Sequence, residues 1–454
     1  MNPAEDGSGL RKIRLAWRSI GLGCCAALAL RVAPVRAAGS AAETNVAAIV
    51  LARMKRDLLR SADHARPDAV AGRRMSIKRL LRVQRRDGSW PDIAYASRAP
   101  SLWPPIEHLR RVLALAVDAA ARRDANARAG AVRGLEYWLR LDPKSSNWWW
   151  NTIGMEQQLA SILVVLRDGL PPADLRAGCR LLRRSRVEGF TGTNLAWEAA
   201  NLFTLGALTD DVPLMRRMLG YIAGDIRITT AEGIQPDWSF HQHGPQLNAG
   251  NYGLGFLETC ARYAEYVRGT TLQVSAAGIS RLDRFALNFQ DWVVWGRRMD
   301  LSSCGRQLDL PNSQERKAEA LADDFRRLLA LGPADPRPIE TLIARVAGRL
   351  PPGADAPAGN RYYWRSDFMV HRPGSWYASI KMYSPRVLRT ETWVNAEDLK
   401  GYHLSDGATF LMIRGDEYDN IQPVWDWRKL PGVTFRAASG PLPYRKRAPA
   451  LYNP

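Results

Sequence analysis

The sequence predicts an α+β fold in which a helical domain, of the α/α toroid type, is followed by an antiparallel β region. Across residues 45–347, apolar side chains recur at three- and four-residue spacing, which is the period of amphipathic helices. No strict sequence repeat is visible, so a closed toroid of helical hairpins is favoured over a regular solenoid. After residue 361, short β-branched and aromatic runs alternate with turn residues, which indicates strands.

Composition narrows the class of protein. A length of 454 residues permits two or three domains, and 46% hydrophobic with 24% charged residues excludes a disordered tail or a multispan membrane protein. The net charge of +19 favours a polyanionic partner, which could be nucleic acid, anionic lipid or acidic polysaccharide. The basic residues are dispersed and no recognition module is visible, so we expect no nucleic-acid partner.

Residues 1–37 have the pattern of a secretory signal peptide. Four basic side chains precede the apolar stretch 20–30, and the sequence VRA at 35–37 is similar to a cleavage site. The apolar run is shorter than the ~20 residues of a membrane span. We therefore expect a secreted or periplasmic protein without stable membrane association, the alternative being an uncleaved N-terminal anchor. Beyond this segment only Cys179, Cys260 and Cys304 remain, so a disulfide framework is not expected.

The element pattern sets the domain boundaries. The clearest helical segments are 108–122, 155–165, 212–226 and 254–267, with a short one at 339–350. Pro and Gly concentrate around the end of this region, so the expected organisation is a helical domain at 38–347, a linker at 348–360 and a β region at 361–454. The strand-like runs are 362–364, 368–371, 376–382 and 409–413. A sheet this short leaves an edge and one face open unless it packs on another part of the protein.

Two polar and aromatic stretches in the helical region could carry chemistry. Residues 147–151 read NWWWN, and three adjacent Trp cannot all face one helix core, so Trp148, Trp149 or Trp150 could offer a platform for a sugar ring; core filling is the alternative. Residues 191–194 read TGTN and lead into a helix. On the sequence alone Asn194 is better explained by an N-cap than by a binding role.

Two further stretches concentrate His, Asn and Arg. Residues 237–244 read DWSFHQHG and are followed by Asn248, Asn251 and Tyr252. The His-x-His pair could ligate a metal, but no acidic or Cys/His partner stands at a recognised spacing, so no metal site is expected. Arg306 follows Gly305 and is a candidate clamp for a carboxylate, although a solvated Arg is the ordinary alternative.

Together these motifs resemble polysaccharide lyase family 8, the secreted hyaluronate, chondroitin and xanthan lyases. The resemblance covers DGSWPDIAY at 87–95, NWWWNTIG at 147–154, TGTN at 191–194, DWSFHQHGPQLNAGNYG at 237–253 and the long stretch at 395–432. It implies an incomplete α/α toroid that forms the catalytic domain, followed by an antiparallel β-sandwich domain, with the site between them. Family members continue through a larger β region, so the resemblance implies a truncated sandwich.

The resemblance also implies roles for individual residues. Asn194 would neutralise the uronate carboxylate, His243 would be the catalytic histidine and Tyr252 the acid/base, while Arg306 and Glu397 would complete the catalytic set. The aromatic patch, with Asn147, Trp148, Trp149 and Trp150, and Asn251 would bind the sugar chain. The expected partner is an acidic polysaccharide, the expected state is a monomer, and no cofactor is needed.

This sequence departs from the family pattern at two positions. In the glycosaminoglycan lyases a second Arg follows the first by four residues, and Leu310 stands there in this chain. Asn194 is followed by Leu195 rather than by Arg. These departures leave the uronate polymer open.

The chemistry of β-elimination suits these residue types. The proton on C5 of a uronate becomes acidic only when the adjacent carboxylate is neutralised, which hydrogen bonds from Asn194, reinforced by Arg306 or His243, would achieve. Tyrosine is a weak base at its ordinary pKa of ~10, so a cationic or hydrogen-bonding neighbour is expected to lower the pKa of Tyr252. The same group could then protonate the leaving oxygen.

Two other classes compete with a lyase. The first is an inactive or weakly active remnant that still binds anionic glycan through the Trp patch. The second is an α/α-toroid glycoside hydrolase with paired carboxylates, for which Glu232, Asp237 and Glu397 are candidates. A hydrolase would leave the tyrosine loop unexplained and would release saturated products.

Overall fold

The computed structural model describes residues 41–63, 75–308, 310–392 and 394–434. The predicted signal peptide at 1–37 lies outside the described residues. Within the described ranges the helical pattern gives twelve α-helices: α1 Ala41–Asp63, α2 Ile77–Val83, α3 Ile106–Arg122, α4 Ala125–Leu141, α5 Met155–Leu166, α6 Pro172–Leu182, α7 Gly192–Leu208, α8 Val212–Asp225, α9 Leu254–Val267, α10 Ala276–Phe285, α11 Ser313–Leu331 and α12 Arg337–Val346.

The helices form hairpins arranged as an α/α toroid. Helices α3, α5, α7, α9 and α11 are successive neighbours in one row, and each packs against the helix that follows it in the chain. Helix α1 lies against α3, α5, α7 and α9. This arrangement explains why the sequence shows a helical period without a strict repeat, since each hairpin has its own neighbours to match.

Helix α3 illustrates how the sequence sets these elements. Ile106, Leu109, Val112 and Leu115 are buried at the spacing of one helix face and pack into the core. The helix ends where Arg123 adopts a left-handed conformation. The predicted helix at 339–350 is shorter than expected for a similar reason, because α12 ends at Val346, just before the positive φ of Gly348.

A four-stranded antiparallel sheet follows the helices. Its order is β5-β6-β7-β8, and two short hairpins earlier in the chain supply the first four strands. The strands are β1 Gly233–Ile234, β2 Phe240–His241, β3 Val294–Trp295, β4 Arg298–Met299, β5 Gly359–Tyr363, β6 Phe368–Arg372, β7 Tyr377–Lys381 and β8 Ala408–Met412. The last four agree with the predicted strand runs to within a few residues.

The two faces of the sheet differ. Tyr363, Val370, Tyr377 and Phe410 are fully buried on one face, where the Tyr363 ring lies 5.0 Å from that of Phe289 in the helical part. The opposite face leaves apolar side chains half exposed, among them Tyr362 and Leu411. The sheet therefore packs one face on the helical domain and leaves the other open, as expected for a sheet of this size.

Helical and β parts share one hydrophobic core. In the described ranges, no helix combines the length and apolar character that a membrane crossing needs. Cys179, Cys260 and Cys304 are buried and unpaired, so side-chain packing rather than cross-linking holds the described part of the chain together.

Candidate active site

Three loops of the helical domain meet one segment of the β part. The three loops are named the histidine loop (237–248), the tyrosine turn (Ala249–Gly253) and the arginine loop (304–307). The segment of the β part is named the carboxylate segment (388–392). The carboxylate segment runs along the histidine loop, because Leu388 N–H donates to the Pro245 carbonyl at 2.9 Å and Gln246 Nε2 donates to the Arg389 carbonyl at 2.7 Å. Backbone pairing across the domain junction thus places β-part side chains beside His243.

The histidine loop holds His243 in a strained conformation. His243 has φ +62° and Gly244 has φ +85°, both in the left-handed region. The Gly244 N–H donates to Glu232 Oε1 at 2.9 Å, and this hydrogen bond holds the loop in place. A non-glycine residue is kept in this region only where its surroundings determine the backbone, and such positions are frequent at functional sites.

The first turn of α7 ties the TGTN motif to both neighbouring loops. Thr193 N–H donates to Gln242 Oε1 at 2.9 Å, and Thr193 Oγ1 donates to the Tyr252 carbonyl at 2.7 Å. Gly192 is required for this approach, since it has φ +56° and a Cβ there would lie 2.4 Å from Gln242 Oε1.

Asn194 lies inside this helix rather than at its cap. The N-cap position is occupied by Thr191, so the N-cap interpretation of Asn194 is wrong. Asn194 is 6% exposed, and its Oδ1 is buried without a hydrogen-bond partner. A buried amide with an unsatisfied oxygen is costly, which is the expected signature of a group kept for a ligand rather than for stability.

Tyr252 lies on a π-helical turn that leads into α9. The His243 ring contacts the Tyr252 ring edge-on, with ring centroids 4.6 Å apart. Arg306 lies on the other side, where its Nη2 donates to the Tyr252 hydroxyl at 3.4 Å. The turn therefore presents the phenol between an imidazole and a guanidinium, and π-helical turns of this kind recur at functional sites.

Arg306 is held by two carboxylates from the β part. Its Nη1 donates to Glu391 and its Nε donates to Glu397. Glu391 also accepts a hydrogen bond from His243 Nδ1 at 2.7 Å through its other oxygen. The structure thus brings His243, Tyr252, Arg306 and Glu397 into one connected cluster.

Glu391 is the member of this cluster that the sequence reasoning missed. Burial raises its pKa, but hydrogen bonds and charge from His243 and Arg306 outweigh burial and lower the pKa to about 2. An ionised carboxylate only accepts hydrogen bonds, so we assign the proton to Nδ1 of His243, and Nε2 is the nitrogen left for a ligand. One feature of the sequence could have identified this residue. Glu391 stands six residues before Glu397, in a segment that was interpreted only as part of the β region.

The electrostatics at Tyr252 differ from the expectation. Burial is the dominant influence and raises its pKa above the ordinary value, although Arg306 acts in the opposite direction. Glu391 and Glu397 also raise the pKa of Tyr252, because they offset the charge of Arg306. The expectation of a lowered pKa is therefore wrong for the free protein, in which the phenol is protonated at neutral pH.

The tryptophan patch divides between surface and core. Trp148 is 47% exposed and stacks on Phe190, while Trp150 packs against the core beside Trp103. Trp149 lies between them and contacts Trp197 with ring centroids 5.6 Å apart. Core packing thus applies to Trp150, while the exposed Trp148 keeps the position that a sugar platform would need.

Trp197 connects this patch to the tyrosine turn. Its ring centroid lies 5.5 Å from that of Tyr252. Sequence reasoning missed Trp197 because it stands three residues after Asn194 on α7, where a helical period predicts core packing. A continuous aromatic path therefore runs from Trp149 to the candidate acid/base.

The two Asn predicted to bind sugar lie in different surroundings. Asn147 Oδ1 accepts a hydrogen bond from Trp149 N–H at 3.1 Å, and its Nδ2 donates to the Pro100 carbonyl at 3.0 Å. Both ends of its amide are thus occupied, which favours a capping role over a sugar contact. Asn251 borders the arginine loop, since a Cβ at Gly305 would lie 3.5 Å from the Asn251 Cβ.

The residues of the two alternative constellations have other partners. His241 Nε2 is hydrogen-bonded to Ser366 Oγ at 2.9 Å, whereas His243 faces Glu391, so the His-x-His pair does not converge. Within the described ranges, no group of three or more His, Cys, Asp or Glu could hold a metal ion. Of the hydrolase candidates, Glu232 accepts a hydrogen bond from Gly244 N–H, Asp237 accepts from Ser239 and Glu397 accepts from Arg306.

Lys317 of α11 links the tyrosine turn to the arginine loop. Its Nζ donates to the Gly250 carbonyl, and to Gln307 Oε1 at 3.0 Å. Lys317→Met should lower kcat by about 10-fold or more, because a small misplacement of reacting groups has a large effect on rate. The free energy of unfolding should change little. Burial lowers the pKa of the Lys317 ammonium, so its charge already carries a desolvation cost that the variant removes together with the hydrogen bonds.

The matched control is Lys55→Met, which removes a surface ion pair with Asp168. Steady-state kinetics and thermal unfolding of both variants separate positioning from stability. Full activity of the Lys317→Met protein would show that Lys317 does not position the two loops.

Comparisons with known proteins agree with this fold. The family model described as polysaccharide lyase family 8, N terminal alpha-helical domain, matches residues 65–343, and the model described as polysaccharide lyase family 8, super-sandwich domain, matches residues 358–449. The chain therefore belongs to polysaccharide lyase family 8.

Individual relatives are consistent with this membership. Chondroitinase-AC of Pedobacter heparinus is 31% identical over 409 residues, which cover 87% of this chain and 56% of that protein. Hyaluronate lyase of Thermasporomyces composti is 27% identical over 63% of this chain and 42% of its own length. A solved structure of chondroitinase AC lyase superposes with a TM-score of 0.80 at 28% identity and covers 88% of this chain and 59% of that one. The chain thus spans less than two thirds of the length of these relatives.

Proposed function

We propose that this protein is an exported, monomeric lyase that cleaves uronic-acid-containing polysaccharides of the hyaluronan, chondroitin or xanthan type by β-elimination. The observation that carries the proposal is the Tyr252 phenol, held between the His243 ring and the Arg306 guanidinium. Family membership and the similarity to chondroitinase AC and hyaluronate lyase support it. Export is proposed from the signal-like pattern of residues 1–37.

The uronate carboxylate would bind at Asn194 and His243. Asn194 would donate to the carboxylate from its amide nitrogen Nδ2, and His243 Nε2 is left available by the bond from Nδ1 to Glu391. Hydrogen bonds to the carboxylate would stabilise the negative charge that develops when the C5 proton leaves. Rigid positioning of both groups by backbone contacts would supply this stabilisation without reorganisation.

Tyr252 would act as base and then as acid. Its phenolate accepts the C5 proton, the C4–O bond breaks as the C4=C5 double bond forms, and the phenol returns the proton to the leaving oxygen. Arg306 donates to the Tyr252 hydroxyl and would stabilise the phenolate. His243 and Glu397, whose side chains are 28% and 25% exposed, form the solvent-facing rim through which the substrate would approach.

The aromatic path would hold the neighbouring sugars. Trp148 presents an exposed indole face, and Trp149 and Trp197 continue the surface toward Tyr252. Flat apolar ring faces suit the C–H faces of pyranose rings. A polymer bound there would place its uronate at the cluster.

The test is the appearance of an unsaturated uronate, which absorbs in the ultraviolet, when the protein meets a panel of polymers. Hyaluronan, chondroitin, chondroitin sulfate and xanthan form the panel, and a neutral glucan serves as the control. We expect absorbance to grow with at least one uronate polymer and not with the glucan. Binding without any absorbance change across the panel would contradict the lyase and favour a glycan-binding remnant.

The pH dependence of the rate should report on Tyr252. Because burial raises the pKa of Tyr252, the phenolate fraction is small at neutral pH, and kcat/KM should rise as pH increases into the alkaline range. Glu397→Gln removes a negative charge beside Arg306. Arg306 then stabilises the phenolate more strongly, so the rising limb should move to lower pH.

Initial rates at low substrate concentration, measured across pH, check this expectation. The exposed carboxylate Glu340 provides the control variant Glu340→Gln, which should leave the profile unchanged. A profile that falls with rising pH, or one that Glu397→Gln does not move, would remove the Tyr252 phenolate from the mechanism.

A further inference from the structure

A second basic site lies away from the tyrosine cluster. A cavity of about 390 Å³ opens where the turn between β3 and β4, the end of α12 and the end of β8 meet. Its wall contains none of the cluster residues described above. The wall carries the side chains of Arg297, Arg298, Arg345 and Arg414 and a single carboxylate, Asp416.

Two buried guanidinium groups, those of Arg345 in this wall and of Arg372, share the carboxylate of Asp291. Arg345 is 1% exposed and donates through Nη2 to Asp291. Arg372 is fully buried, and its Nη1 lies 3.9 Å from the same carboxylate while it donates to the Asp291 carbonyl at 2.9 Å. Arg345 Nε, and Nε and Nη2 of Arg372, are buried without hydrogen-bond partners. Buried donors of this kind carry a full desolvation cost unless an acceptor reaches them.

The outer arginines have carboxylate partners. Arg298 lies 2.6 Å from Asp419, and Arg297 and Arg298 share Glu315 at 3.0 and 3.3 Å. Arg414 lies 3.1 Å from Asp416. Of these carboxylates only Asp416 belongs to the cavity wall, so along the wall itself four arginine side chains stand beside one carboxylate.

We propose that this cavity binds a sulfate or carboxylate group. Planar guanidinium forks match the oxygens of such groups, and an anion in the cavity would offer acceptors to the arginine-rich wall, where Arg345 Nε is buried without a partner. The group could belong to a sugar of an acidic glycan, in which case the inference rests on the proposed function, or to a free inorganic anion. A cavity of this volume has room for a sugar unit together with its charged substituent.

Thermal unfolding in the presence of sodium sulfate tests the site without any need for turnover. At constant ionic strength, balanced with sodium chloride, sulfate should raise the Tm saturably, because a ligand of the folded state stabilises it. The double variant Arg297→Gln/Arg414→Gln should bind sulfate at least about 5-fold more weakly. Both side chains are exposed, at 53% and 77%, so the variant should fold.

A matched control removes two arginines of equal exposure elsewhere. Arg326 and Arg122 are 52% and 78% exposed and each pairs with an aspartate on its own helix. The variant Arg326→Gln/Arg122→Gln should respond to sulfate as the parent does. Asp416→Asn should respond at lower sulfate concentrations than the parent, a gain that a folding defect would not produce.

Chondroitin sulfate and unsulfated chondroitin oligosaccharides, added to Tyr252→Phe protein, distinguish the two sources. A stabilisation by oligosaccharide that is weaker in the cavity variant than in the control variant assigns the group to the glycan. Stabilisation by sulfate alone assigns it to a free anion. An equal response of the cavity and control variants to every ligand would overturn the proposal, whether or not the protein proves to be a lyase.

Discussion

Tyr252→Phe should reduce β-elimination by at least about 10³-fold, because the variant loses the group that serves as base and acid in turn. The fold should be unaffected. The hydroxyl is in contact with Arg306 at 3.4 Å, and Arg306 keeps both of its carboxylate partners. We therefore expect a change in the free energy of unfolding below about 1 kcal/mol. Affinity for the polymer should be retained, since the ring and the aromatic path remain.

The measurement pairs the rate of ultraviolet absorbance growth with the affinity for an uncleaved oligosaccharide. Tyr263→Phe is the matched control, because Tyr263 lies on α9, the helix that follows the tyrosine turn, and its hydroxyl donates to the Ala200 carbonyl at 3.0 Å. The control should retain its rate. A Tyr252→Phe protein that turns over at the parent rate would assign the proton transfer to another group.

Glu391→Gln should combine a loss of rate with a loss of stability. Glu391 bridges His243 and Arg306. A neutral amide in its place would no longer fix the tautomer of His243, and Arg306 would keep only the Glu397 carboxylate as a partner. We expect kcat to fall by about 10²-fold, as for other displacements of reacting groups. Removal of one partner from a buried ion pair should cost roughly 3 kcal/mol of unfolding free energy at neutral pH.

The stability that Glu391 contributes should decrease at acid pH. Burial raises the pKa of Glu391, but His243 and Arg306 lower it to about 2, below its ordinary value of 4.5. Its contribution to stability is therefore present above pH ~4.5 and is lost as the pH falls toward ~2. The Glu391→Gln protein should lack this acid-dependent loss.

Asp57→Asn serves as the control for stability. Asp57 is a buried carboxylate that pairs with Arg327 at 2.9 Å, in the contact between α1 and α11. This variant should lose a comparable free energy of unfolding and keep its kcat. If both variants lose activity in proportion to stability, Glu391 has only a structural role.

Much of the fold could be predicted because it depends on local pattern. The segments at 155–165 and 254–267 have a helical period over several turns, and they became α5 and α9 with nearly the predicted bounds. The sheet was predicted from short β-branched and aromatic runs separated by turn residues, and two of these runs became β6 and β8 with similar bounds. These signals are read along the chain, so they do not require knowledge of distant contacts.

The parts of the site that the sequence did not reveal depend on contacts between distant segments. Glu391 contacts His243, which lies 148 residues earlier in the sequence, because the backbone of Leu388 pairs with that of Pro245. Trp197 joins the aromatic path only because the tyrosine turn folds against α7. The raised pKa of Tyr252 likewise follows from its burial. Motif reasoning identified the residue types but not this burial, which is a property of packing.

The most direct test of the account is the mass of the products formed from a uronate polymer by the purified protein. Elimination adds no water, so each product with a newly formed non-reducing end should be lighter by one water than its hydrolytic counterpart and should carry a C4=C5 double bond. We predict these unsaturated products, and we predict that Tyr252→Phe protein does not form them. Saturated products would contradict the account and would require paired carboxylates in place of Tyr252.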